Sequence, residues 1–304
     1  MPLWKAILKR TLLYTALFVA TVSFIYVLAR LIPGDPVTVL YGEMAEDRAT
    51  RDILEQQLGL DRPIYIQLLT YMGNIFTGRW GKSIYTGEGV VSIISRSFTA
   101  SLKLAFLSTL LVLAICSAAL YIEYGYGLNG RLLTTVSSLL SSMPTVVWGA
   151  VLLLILTQLR QPIVLGDTVP PLIVLTLVAT GIFYRLFKSA IEYSYQQPFI
   201  ETYAMMGYSR VAVFLKALRY SLPTILSALL YRAGLIIAGA IVVETMFLYP
   251  GMGLVFYVAL ASRDYPVLIG WGVAVSATLI GINLVVDIVH SIADPRVVQQ
   301  WSPD

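Results

Sequence analysis

Residues 199–223 read FIETYAMMGYSRVAVFLKALRYSLP, and this stretch is polar in a chain whose other long segments are mostly apolar. It carries four charged side chains, which are Glu201, Arg210, Lys216 and Arg219. Apolar runs flank it on both sides, so it joins two segments that could cross a membrane. The stretch is too long for a simple turn between them, which predicts a structured element of its own.

Composition places the rest of the chain in a membrane. Of the 304 residues, 58% are hydrophobic and 12% are charged, and that charged share is about half of what soluble domains contain. A soluble fold would have too little polar surface, so we expect an all-α, multi-pass membrane protein. The net charge of +4 gives no indication of a nucleic-acid partner. One cysteine, Cys116, and one histidine, His290, predict neither a disulfide framework nor a metal site.

Six apolar runs approach the ~20 residues that a helix needs to cross ~30 Å of hydrocarbon. The fourth is the shortest, and the predicted spans are about 11–32, 100–122, 134–157, 171–188, 223–248 and 267–290. The first run is longer than the ~7–15 apolar residues of a signal peptide, and no small-residue cleavage site follows it. We therefore expect an uncleaved helix. Residues 37–99 are predicted to form an extracytoplasmic loop subdomain within a single domain of residues 1–304.

The distribution of lysine and arginine orients the chain, because loops on the cytoplasmic side are enriched in these residues. The two short loops on one side hold Arg160 and Arg263. The opposite side holds Lys5, Lys9, Arg10, Arg131, Arg185, Lys188, Arg210, Lys216, Arg219 and Arg296. This bias predicts that residues 189–222 and both termini are cytoplasmic in a prokaryotic plasma membrane.

Gly207 divides the polar stretch into two short predicted helices. Glu201, Ala204 and Met205 share one face before the glycine, and Arg210 follows it opposite an apolar face. Glycine permits a sharp bend and a close approach of backbones. A helix–glycine–helix element under a membrane domain could transmit force as a lever. An amphipathic segment lying on the bilayer surface is the alternative, and the physical argument leaves both open.

Several polar side chains lie inside the predicted spans. Arg232 is roughly 14 Å into the fifth span at 1.5 Å per residue, where an unpaired arginine costs ~2.5–3.5 kcal/mol or more. We expect it to face a cavity or a second subunit, with Asp287 as a candidate partner; the alternative is that it extends to the interface. Ser141, on the third span, and Asn283, on the sixth, belong to polar stripes that either line a pathway or join helices.

Short motifs along the chain resemble the permease subunits of binding-protein-dependent ABC importers, in their oligopeptide/dipeptide branch. Glu201 and Gly207 match the EAA loop of that family, although Thr202 and Tyr203 replace its two alanines. Other matches follow in order along the chain: Pro33-Gly34-Asp35-Pro36, Gly78-Arg79-Trp80-Gly81-Lys82-Ser83, Val243-Glu244-Thr245-Met246-Phe247, Tyr249-Pro250-Gly251-Met252-Gly253, Arg263-Asp264-Tyr265-Pro266 and Asp294-Pro295-Arg296.

The resemblance implies a pore-forming subunit that works by alternating access. It implies three kinds of partner besides membrane lipid: a second homologous permease in a heterodimer, two ATPase subunits that bind ATP and magnesium, and an extracytoplasmic solute-binding protein. The implied ATPase-coupling residues are Glu201, Ala204, Met205, Gly207, Tyr208 and Arg210. Those facing the binding protein are Pro33, Gly34, Asp35, Pro250, Gly251, Arg263 and Asp264. Candidates for the pathway or gate are Arg232, Glu244, Ser141, Asn283 and Asp287.

The absence of certain sequence motifs argues against other functions for this chain. The chain has no G-x-x-x-x-G-K-[ST] phosphate loop, so we expect neither a cofactor nor ATP hydrolysis in this subunit. A membrane enzyme would need a catalytic grouping, which the sequence does not show. The main alternative is an ATP-independent secondary transporter or channel, for which we would expect inverted repeats or paired ionisable residues. Peptides and oligosaccharides both stay open as cargo.

Overall fold

The computed structural model describes residues 3–31, 62–160, 164 and 166–293, without the side chains of residues 3–6, 29–31, 230–239 and 289–293. These parts are almost entirely helical. In chain order the helices are α1 Leu3–Leu31, α2 Ile64–Phe76, α3 Val90–Leu120, α4 Arg131–Ser142, α5 Thr145–Gln158, α6 Val169–Tyr195, α7 Pro198–Met205, α8 Arg210–Met246, α9 Met252–Ala261 and α10 Tyr265–Ala293.

The predicted all-α membrane architecture is confirmed. Within the described ranges, five helices are long and apolar enough to cross a membrane, or up to six if one bent pair forms a single span. That pair is α4 and α5, which meet at 96° inside the third predicted span. Pro144 lies at the bend; it lacks an N–H and holds the preceding residue, Met143, in an extended conformation. Trp148 donates a 3.0 Å hydrogen bond to the carbonyl of Leu140 across the bend.

Two helices begin earlier than the apolar runs indicated. Helix α3 starts at Val90 rather than near residue 100, and its first turns are polar. An ion pair of 3.1 Å joins Arg96 in these turns to Glu88, which precedes the helix. Helix α8 starts at Arg210 and runs through Pro223, which was expected to begin the fifth helix. Burial of Phe214 on one side of the proline and Ile225 on the other stabilises the continuous helix.

On the side of the polar stretch, two helices also end later than the predicted spans. Helix α6 continues to Tyr195, beyond the predicted end near residue 188, because Ile191 and Ser194 are fully buried. Helix α3 passes into a π-helical turn, Tyr121–Gly125, a geometry that is rare and often found at functional sites. The first part of the predicted loop subdomain, residues 37–61, lies outside the described residues.

The chain divides into two compact units, and the single domain expected from the sequence stays a prediction. One unit is residues Ala100–Gly253 and the other combines Met1–Thr99 with Leu254–Asp304. In the first, a cluster of α3, α6 and α8 side chains is built around Cys116, Phe187 and Phe214. In the second, α1 packs along α10, and the core residues are Val22, Tyr26, Ile269 and Val273.

Candidate functional site

The six residues expected to contact an ATPase lie together on one exposed corner of the unit Ala100–Gly253. We call this the α7 corner: Glu201, Ala204, Met205, Gly207, Tyr208 and Arg210. All six are exposed, and the side chain of Met205 reaches 77% exposure. An apolar side chain that is so open to solvent on a structured helix is suited to contact with a partner.

A buried contact holds the α7 corner on α8. Ile200 is 1% exposed and packs against Val213 and Ala217. The ammonium of Lys216 lies 5.2 Å from the centre of the Tyr203 ring, a cation–π distance. The short helix is therefore fixed to the first turns of α8 and should move with them.

Gly207 forms the turn between α7 and α8. Its φ of +79° is unfavourable for residues with a side chain, which explains a glycine here. Ser209 then caps α8, since its hydroxyl accepts a 3.3 Å hydrogen bond from the amide of Ala212. The expected two helical halves are present, but the second is the start of the long helix α8 rather than a separate short one.

A cavity of about 440 Å³ lies beside the α7 corner, between it and the π-helical turn of α3. Its lining residues are Glu123, Tyr124, Gly127, Tyr195, Ala204, Tyr208, Arg210 and Val213. A Cβ atom on Gly127 would lie 1.8 Å from Nη1 of Arg210, so the guanidinium occupies the space that this glycine leaves. Arg210 thus connects the corner to the loop after α3.

An ion pair that was not predicted from the sequence lies near this cavity. The Lys188 ammonium donates a 2.6 Å hydrogen bond to Glu123, and the Tyr184 hydroxyl donates one of 2.5 Å to the same carboxylate. Lys188 also lies 3.2 Å from the hydroxyl of Thr134. Glu123 and Lys188 are 65 positions apart, so no local pattern could pair them. A Cβ on Gly130 would meet the Glu123 carboxylate. That glycine is a sequence feature near the pair that could have indicated a closely packed side chain.

Glu244, a candidate for the gate, has a buried and fully hydrogen-bonded environment. Its side chain is fully buried and accepts hydrogen bonds of 2.6 Å from the Ser101 hydroxyl and 2.6 Å from the Gly253 amide. The Ser101 hydroxyl in turn accepts from the amide of Met252 at 2.8 Å. The carboxylate therefore lies at the N-terminus of α9, where negative charge is favourable. The structure thus gives Glu244 a helix-capping environment, and its expected role at a gate stays a prediction.

The turn around this carboxylate explains the glycine motif. A Cβ on Gly251 would lie 2.4 Å from the Glu244 carboxyl group, and one on Gly253 would lie 2.3 Å from Cα of Ile241. Pro250, immediately before Gly251, is exposed. Leu248 adopts a positive φ of 50°, so the bend is tight. Pro250 is accessible to a partner, whereas Gly251 is buried and cannot present a surface.

Asp264, which was expected to face the binding protein, is buried. Its carboxylate accepts a 2.5 Å hydrogen bond from the Ser83 hydroxyl and a 3.2 Å bond from the amide of Ile84. It also caps α10 through the amide of Val267 at 3.4 Å. Two motifs that were identified separately, Gly78–Ser83 and Arg263–Pro266, therefore meet. Arg263 is exposed and has a φ of 56°.

The remaining pathway candidates are divided between the two compact units. Ser141 accepts a 2.8 Å hydrogen bond from Arg185, which lies near the end of the predicted span 171–188. Asp287 binds Arg10 at 2.6 Å and the Tyr14 hydroxyl at 2.8 Å, and Asn283 is exposed on the same helix. The side chain of Arg232, and all of Pro33, Gly34 and Asp35, lie outside the described residues.

Comparisons with known proteins cover nearly the whole chain. The family described as binding-protein-dependent transport system inner membrane component matches residues 111–299, and its N-terminal counterpart matches residues 3–112.

Individual relatives are similar along their full lengths. The di/tripeptide transport system permease protein DppB of Pseudomonas aeruginosa is 31% identical, over 97% of this chain and 98% of its own. The probable D,D-dipeptide transport system permease protein DdpB of Escherichia coli is 30% identical over 98% of both chains. The dipeptide transport system permease protein DppB of Lactococcus lactis is 30% identical over 96% of this chain and 99% of its own.

Proposed function

The chain belongs to the binding-protein-dependent transport system inner membrane component family, as a multi-pass permease subunit of an ABC importer, and we propose that its cargo is a di- or tripeptide. The observation that carries the cargo assignment is full-length similarity to permeases named for di- and tripeptides. The oligosaccharide alternative has no such support among these relatives. Transport proceeds by alternating access, and ATP hydrolysis on two partner subunits drives it.

The α7 corner is the surface that docks on an ATPase. Met205 and Ala204 supply apolar contact, and Glu201 supplies a polar one. Burial of Ile200 against α8 supports a rigid link, because the corner cannot tilt without moving the first turns of that helix. A push on the corner therefore reaches a helix that continues to Met246.

The other partners follow from topology. The cytoplasmic side holds both termini and the α7 corner, by the excess of lysine and arginine in those segments. The exposed turns at Pro250 and Arg263 then face outward toward the solute-binding protein. A second, homologous permease chain completes the pathway in a heterodimer. ATP and magnesium bind to the ATPase subunits.

Uptake of a labelled dipeptide tests the cargo assignment. The complete importer, reconstituted in liposomes with its binding protein outside and ATP inside, should accumulate the dipeptide above the external concentration. Without ATP, or with a labelled oligosaccharide of similar size, we expect no accumulation. Accumulation of the dipeptide without ATP would contradict the ATP-driven mechanism and favour a secondary transporter.

Crosslinking tests the docking surface. A cysteine in place of Met205 should form a disulfide with a cysteine scanned across the co-expressed ATPase when the complex is mildly oxidised. The native Cys116 is fully buried and should stay silent. Phe76→Cys is the matched control, because Phe76 is also 77% exposed but lies in the segment predicted to be extracytoplasmic. Equal yields at the two positions, or none at position 205 in an intact complex, would contradict the docking role.

A further inference from the structure

One face of α6 stays uncovered between α4 and α8, and it is not apolar throughout. Ile182, Arg185, Leu186, Ser189 and Tyr193 recur at spacings of three and four residues and are all exposed. We call this the α6 face. All of it belongs to the compact unit Ala100–Gly253. An arginine and a serine thus lie on the exposed face of an apolar helix, toward its predicted cytoplasmic end.

A groove of about 690 Å³ runs between the α6 face and α8. Its polar lining is mostly hydroxyl groups, from Ser189, Tyr193, Tyr220 and Thr224. Ser194 and Ser221, which also line the groove, are buried and their hydroxyl oxygens lie 2.6 Å apart. Hydroxyl groups both donate and accept hydrogen bonds, so the groove can bind amide N–H and C=O groups alike.

Arg185 lies one helical turn from Ser189 on the same face. Its Nη2 donates to the Ser141 hydroxyl at 2.8 Å, and its Nε donates to the carbonyl of Gly181 at 3.3 Å. These two bonds orient a side chain that stays exposed. A guanidinium has five N–H groups in a planar fork that matches a carboxylate, so donors remain for a ligand.

Lipid is a poor neighbour for this face. The exposed side of α1 presents Leu8, Leu12, Leu17 and Phe24, as expected for contact with acyl chains. A charged side chain within a membrane helix instead faces water, a cavity or another protein group. The bonds to Ser141 and Gly181 use only two of the five N–H groups of Arg185, so its exposed donors still require a polar neighbour. In a permease the moving substrate can be that neighbour.

We propose that the α6 face is a binding station for the peptide in transit, with Arg185 binding its C-terminal carboxylate and the groove hydroxyls binding its backbone amides. The assignment rests on the proposed function, since it presupposes that a short peptide is the cargo. The groove has the volume of a small-molecule site, for which ~300–1,000 Å³ is usual. Arg185 would select peptides with a free C-terminus after the binding protein has released them.

The test uses the whole importer in nanodiscs, with its binding protein and a dipeptide that carries a photoreactive diazirine side chain and a free carboxylate. Illumination should label the binding protein and, in the permease, residues of the groove, mapped by mass spectrometry. In Arg185→Gln we expect labelling of the groove to fall about tenfold, the effect of losing a charge-assisted hydrogen bond. Labelling of the binding protein should not change. Arg185→Lys should keep part of the signal.

Control variants and lipids separate the other outcomes. Arg131→Gln, an exposed arginine at the start of α4, should label like the wild type. Groove labelling that persists in Arg185→Gln overturns the role of Arg185. If the wild type transports dipeptide but its groove is never labelled, the face is covered by the second permease and the station is wrong, while the proposed function stands. If anionic lipid abolishes groove labelling that is present in zwitterionic lipid, a lipid phosphate is the occupant and the peptide assignment fails. Failure of dipeptide uptake in the wild type refutes the proposed function itself.

Discussion

Gly253→Ala should destabilise the protein by about 3 kcal/mol, at the upper end of the usual cost of overpacking. The added Cβ would lie 2.3 Å from Cα of Ile241 and 2.9 Å from the Glu244 carboxylate. The first contact is with backbone, which cannot rotate away, so the turn after α8 must open. Opening it would weaken the bond from the Gly253 amide to Glu244 and leave a buried carboxylate short of donors. We expect the midpoint of thermal unfolding in detergent to fall by about 5–10 °C.

Gly281→Ala is the matched control for this prediction. Gly281 lies inside α10, and a Cβ there would meet no atom within 4 Å. Since alanine is favoured over glycine in a helix by about 0.5–1 kcal/mol, this variant should unfold at the same temperature as the wild type or slightly above it. If the two alanine variants unfold alike, the close approach of Gly253 to Ile241 does not require a glycine.

Hydropathy predicted the membrane helices because each span is a local property of the chain. Pro144 and Pro223 mark the limit of that argument, since both are prolines in apolar surroundings. The helix breaks at the first and continues through the second. The difference depends on burial of neighbours such as Phe214, which comes from residues distant in sequence. A proline therefore indicates where a helix can break, and tertiary packing decides whether it does.

The motifs were predictable, but what most of them do was not. The resemblance singled out Glu244 and Asp264, and the structure shows both as buried carboxylates that accept backbone amide hydrogen bonds at helix N-termini. Their partners, Ser101 and Ser83, are 143 and 181 positions away. Arg185 lies near the end of the predicted span 171–188, and the sequence indicates only that it is one of the charges on the cytoplasmic side. The continuation of α6 to Tyr195 places it well inside a helix, on a face that borders a polar groove.

Lys188→Met should destabilise the protein by about 3–5 kcal/mol, because it leaves the Glu123 carboxylate buried without its cation. Glu123 is 9% exposed and Lys188 is 18% exposed, so water can replace the lost ammonium only in part. The double variant Glu123→Gln, Lys188→Met removes both charges, and its unfolding temperature should return most of the way to that of the wild type. Thermal unfolding of the wild type, both single variants and the double variant gives the interaction energy directly.

An exposed ion pair supplies the control for this cycle. Hydrogen bonds from Ser92 and Arg96 lower the pKa of Glu88, yet the Arg96 side chain is 66% exposed and water screens the pair. Arg96→Met should therefore unfold at the wild-type temperature.

The buried pair joins the π-helical turn of α3 to α6 beside the cavity that Arg210 lines, so breaking it should also loosen the support of the α7 corner. We expect Lys188→Met to hydrolyse ATP with less peptide moved per ATP, and the double variant to recover that ratio. If the double variant is as unstable as Lys188→Met, the two charges do not act as a pair.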